Sequence, residues 1–269
     1  MNIGQVSVIM AVYNCENTVK QSIDSILAQT YTNWQMIICD DCSTDGTLSV
    51  VNSYQSKYPE KFIIIRNEKN SRLAASLNHC LKYAEGEYCA RMDGDDYAEP
   101  TRFEKQIAFL HEHQEIQLVG TLMQTFNEKG IGRIIPYAAS PDKYALRFGP
   151  CFAHATIMTY TFVYQSLGGY TVSKRTARTQ DYDLWFRFYA QGYQGANLQE
   201  ALYFVREDEK AFLRRHAKLY LWAVVTRWKG FRLLHYPLKY YPRVLTPIAS
   251  MIFTAFRKLK ARLLLCFKR

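Results

Sequence analysis

The sequence predicts an α/β fold built on a doubly wound sheet, and three observations carry that prediction. Over the first 120 residues, short apolar runs of strand length alternate with segments whose apolar residues recur at helical spacing. The opening run, Val6-Ser7-Val8-Ile9-Met10-Ala11-Val12, is almost wholly apolar, as a parallel strand covered on both faces should be. Polar or acidic clusters close several of the runs, at the sheet edge where an open α/β fold binds its ligands.

The elements follow in order. After the opening strand, Val19, Ile23, Ile26 and Leu27 recur at helical spacing between Thr18 and Leu27. Gln35 to Cys39 reads as a second strand ending at Asp40-Asp41, and Leu48, Val50, Val51 and Tyr54 as the next helix. Phe62 to Ile65 is a third strand, Leu73 to Tyr83 an Ala- and Leu-rich helix. Tyr88-Cys89-Ala90-Arg91-Met92 is a fourth strand running straight into Asp93-Gly94-Asp95-Asp96. Pro100 sits where proline favours the first turn of a helix, which is expected to run to about His113. Such alternation implies right-handed βαβ units. Residues 121 to 205 are less regular and include Gly149-Pro150, Gly168-Gly169 and a Trp-bearing helical run from Tyr182 to Gln191.

Composition narrows the class. A chain of 269 residues fits one large domain or a domain with an appendage. Hydrophobic residues at 48% against 22% charged exclude disorder as the dominant state, and 13 Gly with 8 Pro exclude a collagen-like chain. The net charge of +10 is unevenly spread: Lys210 to Arg269 holds 15 Lys and Arg and no acid, leaving 19 basic against 24 acidic residues elsewhere. A mildly acidic globule thus carries a basic tail, which points that tail at an anionic surface. Seven Cys without regular spacing fit a reducing compartment, and the lone Cys39-Asp40-Asp41-Cys42 pair is a poor zinc site. Met1 to Gln5 lacks the features of a secretory signal, and the apolar stretch Val244 to Phe256 is too short to span a bilayer. A cytoplasmic protein, peripheral on the inner face of the cell membrane, is expected.

Three clusters fall at strand ends: Tyr13-Asn14, Asp40-Asp41 and Asp93-Gly94-Asp95-Asp96. Five carboxylates on one edge would repel one another unless a cation were shared, and oxygen ligands favour Mg²⁺ or Mn²⁺. Such an ion commonly bridges to phosphates, so the edge reads as a metal–diphosphate site. No G-x-x-x-x-G-K-[ST] is present, and strand one leads into Ala-Val-Tyr-Asn-Cys-Glu and not into a Gly-rich turn. Both the P-loop nucleotidases and the dinucleotide-binding dehydrogenases are thereby excluded.

At this point the sequence resembles the family 2 glycosyltransferases. The resemblance covers about residues 5 to 205 and rests on the opening strand through Asn14, on Asp40-Asp41-Cys42-Ser43-Thr44-Asp45-Gly46-Thr47, and on Leu73 to Asn78 with Gly86-Glu87-Tyr88. It continues in Asp93-Gly94-Asp95-Asp96, in His154 to Met158 with Gly168-Gly169-Tyr170, and in Thr179-Gln180-Asp181-Tyr182-Asp183-Leu184-Trp185. It implies the GT-A fold, a Rossmann-like doubly wound mixed sheet, here with a basic, mainly helical C-terminal extension. It also implies transfer of a sugar, with inversion, from a nucleotide sugar that is usually UDP-linked, with residues 1–120 as the nucleotide-sugar half and 121–209 as the acceptor and catalytic-base half.

The resemblance places Ala11, Tyr13 and Glu16 around the base of the nucleotide, Asp41 on the uridine, and Asp93 and Asp95 on ribose and metal with Asp96 beside them. Asp181 matches the general base. Asn78, His154, Gln180 and Trp185 fall to the donor and acceptor pocket, although His154 reads equally as a core histidine and Trp185, with Phe186 and Phe188, mainly as core. Two departures stand out: Gln180 replaces an acidic residue, and Ser71-Arg72 stand where Gly or small residues are common. No Q-x-x-R-W segment and no multiple membrane spans are present, which favours adding one sugar per encounter.

In the tail, residues 210–269, Lys and Arg interleave with Trp222, Trp228, Phe231, Leu233, Leu234 and Tyr240-Tyr241, then with Phe253, Phe256, Leu259 and Leu263-Leu264-Leu265. That pattern predicts an amphipathic, membrane-associating segment on anionic lipid. No motif supports nucleic-acid binding. A glycan acceptor carried on a polyprenyl diphosphate is then expected, in capsule, O-antigen or exopolysaccharide assembly. The competing functions are a nucleotidyltransferase, which would normally show a Gly-rich basic loop after strand one, and a scaffold of the same fold without activity.

Overall fold

The computed structural model describes residues 1–207 and 217–255. Its first half alternates strand and helix: β1 (Asn2–Val12), α1 (Val19–Leu27), β2 (Trp34–Asp40), α2 (Thr47–Lys57), β3 (Phe62–Arg66), α3 (Leu73–Leu81) and β4 (Gly86–Asp93). Then come β5 (Tyr97–Ala98), α4 (Arg102–Glu112), β6 (Leu118–Asn127), β7 (Gly130–Ile135), β8 (Met158–Tyr160), α5 (Thr161–Ser166), α6 (Gln180–Ala190), β9 (Gly195–Arg206) and α7 (Ala217–Leu233). Pro100 lies before the helix that it was expected to open, since α4 begins at Arg102 with Thr101 as its N-cap.

The described strands form one mixed sheet in the order β3-β2-β1-β4-β8-β6-β9-β5, with β7 paired to β6. The β3-β2-β1-β4 half is parallel; β8 runs antiparallel to both β4 and β6, and β9 parallel to β6. Residues alternate between the two faces as the pleat demands. Val6, Val8 and Met10 of β1 and Met36 and Ile38 of β2 pack with α1, α2 and α4, while Ile9, Ile37 and Cys39 pack with α3, α5 and α6. Burial on both faces explains why β1, β2 and β4 read as nearly continuous apolar runs.

One buried charge staples the halves. Arg102, fully buried at the start of α4, donates to the carbonyls of Arg91 and Thr156 at 3.0 Å each. Burial draws its pKa down to about 10.

The stretch expected to be a separate tail is in part core. Helical structure covers α7, the 3₁₀ segment Leu238–Leu245 and residues 246–255. Phe231, Leu234, Tyr236 and Val244 are buried against Tyr182 and Phe186 of α6. The physical reason is that the aromatic residues of this stretch have an apolar helix to pack on. The further apolar and basic run from Phe256 to Leu265 lies outside the described residues. Among the described residues no helix is long and apolar enough to cross a membrane.

Candidate active site

Register brings the chemistry to one edge. Ala11 pairs with Cys39 on one side and Asp93 on the other, and Val12 pairs with Asp40, so β2, β1 and β4 end level. Beyond them the first two loops are laced together. The Asn14 side chain accepts from Thr44 N at 2.9 Å, Cys15 N donates to Thr47 Oγ1 at 2.8 Å, and Gly46 N donates to Glu16 Oε2 at 2.5 Å. Tyr13 stands exposed at the tip of this loop, and Ala11 is partly buried beneath it.

The carboxylates do not converge on a single point. Asp40 is buried, accepts from Ser43 N and pairs with Arg66 Nε at 3.2 Å. Asp41 accepts from Asn67 Nδ2 (2.7 Å) and from the backbone N–H groups of Ser71 and Arg72 (2.8 Å each), shaping the loop into α3. The expectation of five carboxylates around one ion is therefore corrected: Asp40 and Asp41 are taken up by donors after β2 and at and after the end of β3.

The remaining three follow β4. Gly94 passes so close to β1 that an added Cβ would lie 3.0 Å from Val12 Cγ1 and 3.2 Å from Cys15 Sγ. Thr18 Oγ1 holds the Gly94 carbonyl (2.9 Å) and Ser22 Oγ that of Asp96 (2.6 Å), which fixes the turn against α1. Asp96, only 3% exposed, faces inward and accepts from Arg206 N at 2.8 Å. Burial, then the charges of Asp93 and Asp95, push its carboxyl up to about 8. Asp95 is exposed at the rim, its carboxyl raised by desolvation and by Asp93. Asp93 Oδ1 accepts from Arg91 Nη1 at 2.7 Å.

Among the described residues no three His, Cys, Asp or Glu side chains are placed to hold a metal ion by themselves. A pair of carboxylates side by side still fits a hard divalent ion that draws its other ligands from water and a diphosphate. Asp93 and Asp95 would form that pair.

Arg91 was not singled out from the sequence, and it is the centre of the site. It is 1% exposed, its Nε has no partner among the described residues, and its charge acts on His154, Tyr164, Tyr170 and Asp181, all contributed by the second half of the chain. His154 is held well below its ordinary pKa by burial and then by Arg91, hence neutral at pH 7. His154 Nε2 shares a hydrogen bond with Tyr170 Oη, which meets Tyr164 Oη, both at 2.8 Å. The Asp181 carboxyl is raised by burial against the opposing pull of the backbone N–H groups at the start of α6 and of Arg91. The available signal was the residue itself: an arginine inside an apolar strand demands a buried partner.

Other candidates are positioned differently. Asn78 spends its amide on Tyr170, donating to its carbonyl (2.8 Å) and accepting from its N–H (2.7 Å). Gly169, at φ 71°, admits that contact, since an added Cβ would lie 2.5 Å from Asn78 Oδ1. Trp185 is 1% exposed and packs edge-on to Phe152 and His154, which makes it core. Gln180 opens α6, partly exposed, next to Asp181. Asp183, two residues on, accepts from Thr171 Oγ1 (2.6 Å) and Arg187 Nε (3.0 Å), and Arg187 in turn binds the carbonyls of Leu167 and Gly169.

Comparisons with known proteins agree with this architecture. Residues 7–163 match the profile described as Glycosyl transferase family 2. A Bacillus subtilis protein bearing the name glycosyltransferase EpsE is 48% identical over 251 residues, covering 92% of this chain and 90% of its own. The Escherichia coli enzyme named UDP-Glc:alpha-D-GlcNAc-diphosphoundecaprenol beta-1,3-glucosyltransferase WfaP is 30% identical over 192 residues, covering 71% of this chain and 73% of its own. In fold, the chain is similar to S. aureus TarS 1–349 solved with UDP-GlcNAc, with a TM-score of 0.69, 18% identity, and 94% and 81% of the two chains covered.

Proposed function

The chain belongs to glycosyl transferase family 2 and has the GT-A fold, and from that premise we propose that it transfers one sugar, with inversion, from a UDP-sugar to a glycan carried on a polyprenyl diphosphate. The proposed setting is bacterial surface polysaccharide assembly at the inner face of the membrane. The donor and acceptor classes are supported by the name of the E. coli relative and by the ligand of the S. aureus structure.

The observation that carries the reading is the placement of Asp181. It stands at the start of α6, partly buried, on a segment far along the chain from Asp93 and Asp95 but within the field of the same Arg91. Inverting transfer is one displacement: an acceptor oxygen bonds the anomeric carbon as the bond to the diphosphate oxygen breaks. Asp181 takes the acceptor proton, and its raised pKa brings it closer to the value a general base needs near neutral pH. Tyr13 and Glu16 flank the base of the nucleotide, and Asp41 orders the loop that receives the uridine. Asp93 and Asp95 would hold Mn²⁺ or Mg²⁺, which when bound neutralises charge on the leaving diphosphate.

Asp181→Asn is expected to keep UDP-sugar binding and to lower turnover roughly 10²–10⁴-fold, the scale of a general base. Unchanged turnover overturns the assignment. Asp95→Asn is expected to abolish the part of UDP-sugar binding that depends on added Mn²⁺, read by thermal shift.

A further inference from the structure

Away from the carboxylates, a cavity of about 340 Å³ opens between the 3₁₀ turn Lys143–Arg147 and the C-terminal helices. Three arginines line it, Arg147, Arg227 and Arg243, together with Phe148, Thr246 and Ser250, and no carboxylate is among its lining residues. Two of the guanidinium groups lie over the Phe148 ring, Arg147 at 4.3 Å and Arg243 at 4.4 Å from its centre. Arg227 is 6% exposed; its Nη1 donates to the Arg243 carbonyl and to Thr246 Oγ1, while its Nε has no partner among the described residues. The ion pairs that arginines make among the described residues, those of Arg66, Arg91, Arg175 and Arg187, leave all three of these cations without an acidic partner.

Like charges gathered on one cavity repel, and the burial of Arg227, beside half-buried Arg147 and exposed Arg243, makes that costlier unless an anion joins them. Guanidinium forks match phosphate oxygens in pairs, and the hydroxyls of Thr246 and Ser250 add donors. The cavity also borders the helix that carries the proposed base. Arg227 lies over the ring of Tyr182, the residue after Asp181, and the neighbouring Thr226 Oγ1 meets Thr179 Oγ1, at the N-cap of α6, at 3.2 Å. Beside it Leu245 and Phe148 are exposed, so an apolar chain leaving the cavity has somewhere to lie.

We propose that this cavity holds the diphosphate of the lipid-linked acceptor. The proposal deepens the functional reading and rests on its acceptor half. Calorimetric titration of the full chain, in EDTA to silence the donor site, tests it with inorganic pyrophosphate, farnesyl diphosphate, and vesicles of phosphatidylglycerol or phosphatidylcholine. Farnesyl diphosphate should bind the wild type and Asp95→Asn alike and bind the Arg147→Gln/Arg243→Gln variant roughly tenfold to a hundredfold more weakly, as loss of charge-assisted bonds requires. Pyrophosphate should show the same proportional loss. Equal affinity of the double variant for farnesyl diphosphate overturns the proposal. So does binding confined to phosphatidylglycerol vesicles, which would make the cavity a headgroup site. UDP-sugar binding with Mn²⁺, measured on the same proteins without EDTA, should survive in the double variant and reports the folded state of the donor half. Its failure in the wild type would count against the functional reading and not against the cavity.

Discussion

At the scale of single residues, backbone and charge each yield a prediction of definite sign. Arg72, just before α3, sits at φ 70° and ψ 166°, a conformation natural to glycine, so that its N–H can reach Asp41 Oδ2. A non-glycine residue there stores roughly 1–3 kcal/mol, more than the roughly 0.5–1 kcal/mol that glycine costs through chain entropy. Arg72→Gly should therefore raise the midpoint of urea unfolding; a lower midpoint would show that the arginine side chain outweighs the strain. This is also why Gly or a small residue is common where Ser71-Arg72 stands. Asp181 gives a second case. Its folded pKa is raised by burial, so the ionised carboxylate weakens the fold. Stability is lost as the pH rises from the unfolded value toward the folded one. Asp181→Asn should accordingly raise the melting temperature at pH 7, and the gain should shrink as the pH falls below the ordinary aspartate value.

Among elements, the contact of α6 with α7 decides how the candidate base is held. Gly230 of α7 lies directly on the Phe186 ring, where an added Cβ would run into the aromatic carbons. Helix propensity favours alanine over glycine by about 1 kcal/mol, while overpacking a buried contact costs typically 1–3 kcal/mol. Gly230→Ala should thus lower the melting temperature, by an amount that Phe186→Leu in the same chain partly restores. A second lock joins α6 to the Gly168-Gly169-Tyr170 turn through Arg187. Arg187→Gln should raise the acceptor KM several-fold with little change in UDP-sugar binding, a split that a general loss of stability would not produce. Local pattern made the strands and helices of the first half legible because each of β1, β2 and β4 is apolar on both faces. It left β6 to β9 obscure, since their pairing joins residues far apart in sequence: Leu118 with Gly195 and Thr159, Tyr88 with Tyr160. It also left the work of Asn78 hidden, because an amide that binds Tyr170 backbone looks no different in sequence from one that binds a ligand.

Over the whole molecule, the basic extension divides into a packed part and an exposed one. Of the sixteen exposed large hydrophobic residues among those described, seven fall between Leu221 and Phe253, among them Trp228, Leu233 and Leu238, the last 82% exposed. Exposed Lys229, Arg232 and Lys239 lie among them. Replacing those three cations with glutamine should reduce flotation with phosphatidylglycerol vesicles and make what remains less sensitive to salt; unchanged flotation would remove the described part of the extension from any membrane role. Truncation at residue 210 is the poorer test, because it strips Phe231 and Tyr236 from the core. The division into donor and acceptor halves, which reads so cleanly along the chain, is interlocked in space. Arg91 N–H donates to the Ile157 carbonyl, Arg102 to that of Thr156, Tyr203 Oη accepts from Asp93 N, and Asp96 accepts from Arg206 N. A chimera joined near residue 120 would cut every one of these bonds between parents. Donor preference in this enzyme is therefore not a cassette to be exchanged between relatives, and a successful crossover would have to carry β8 and the end of β9 along with β4.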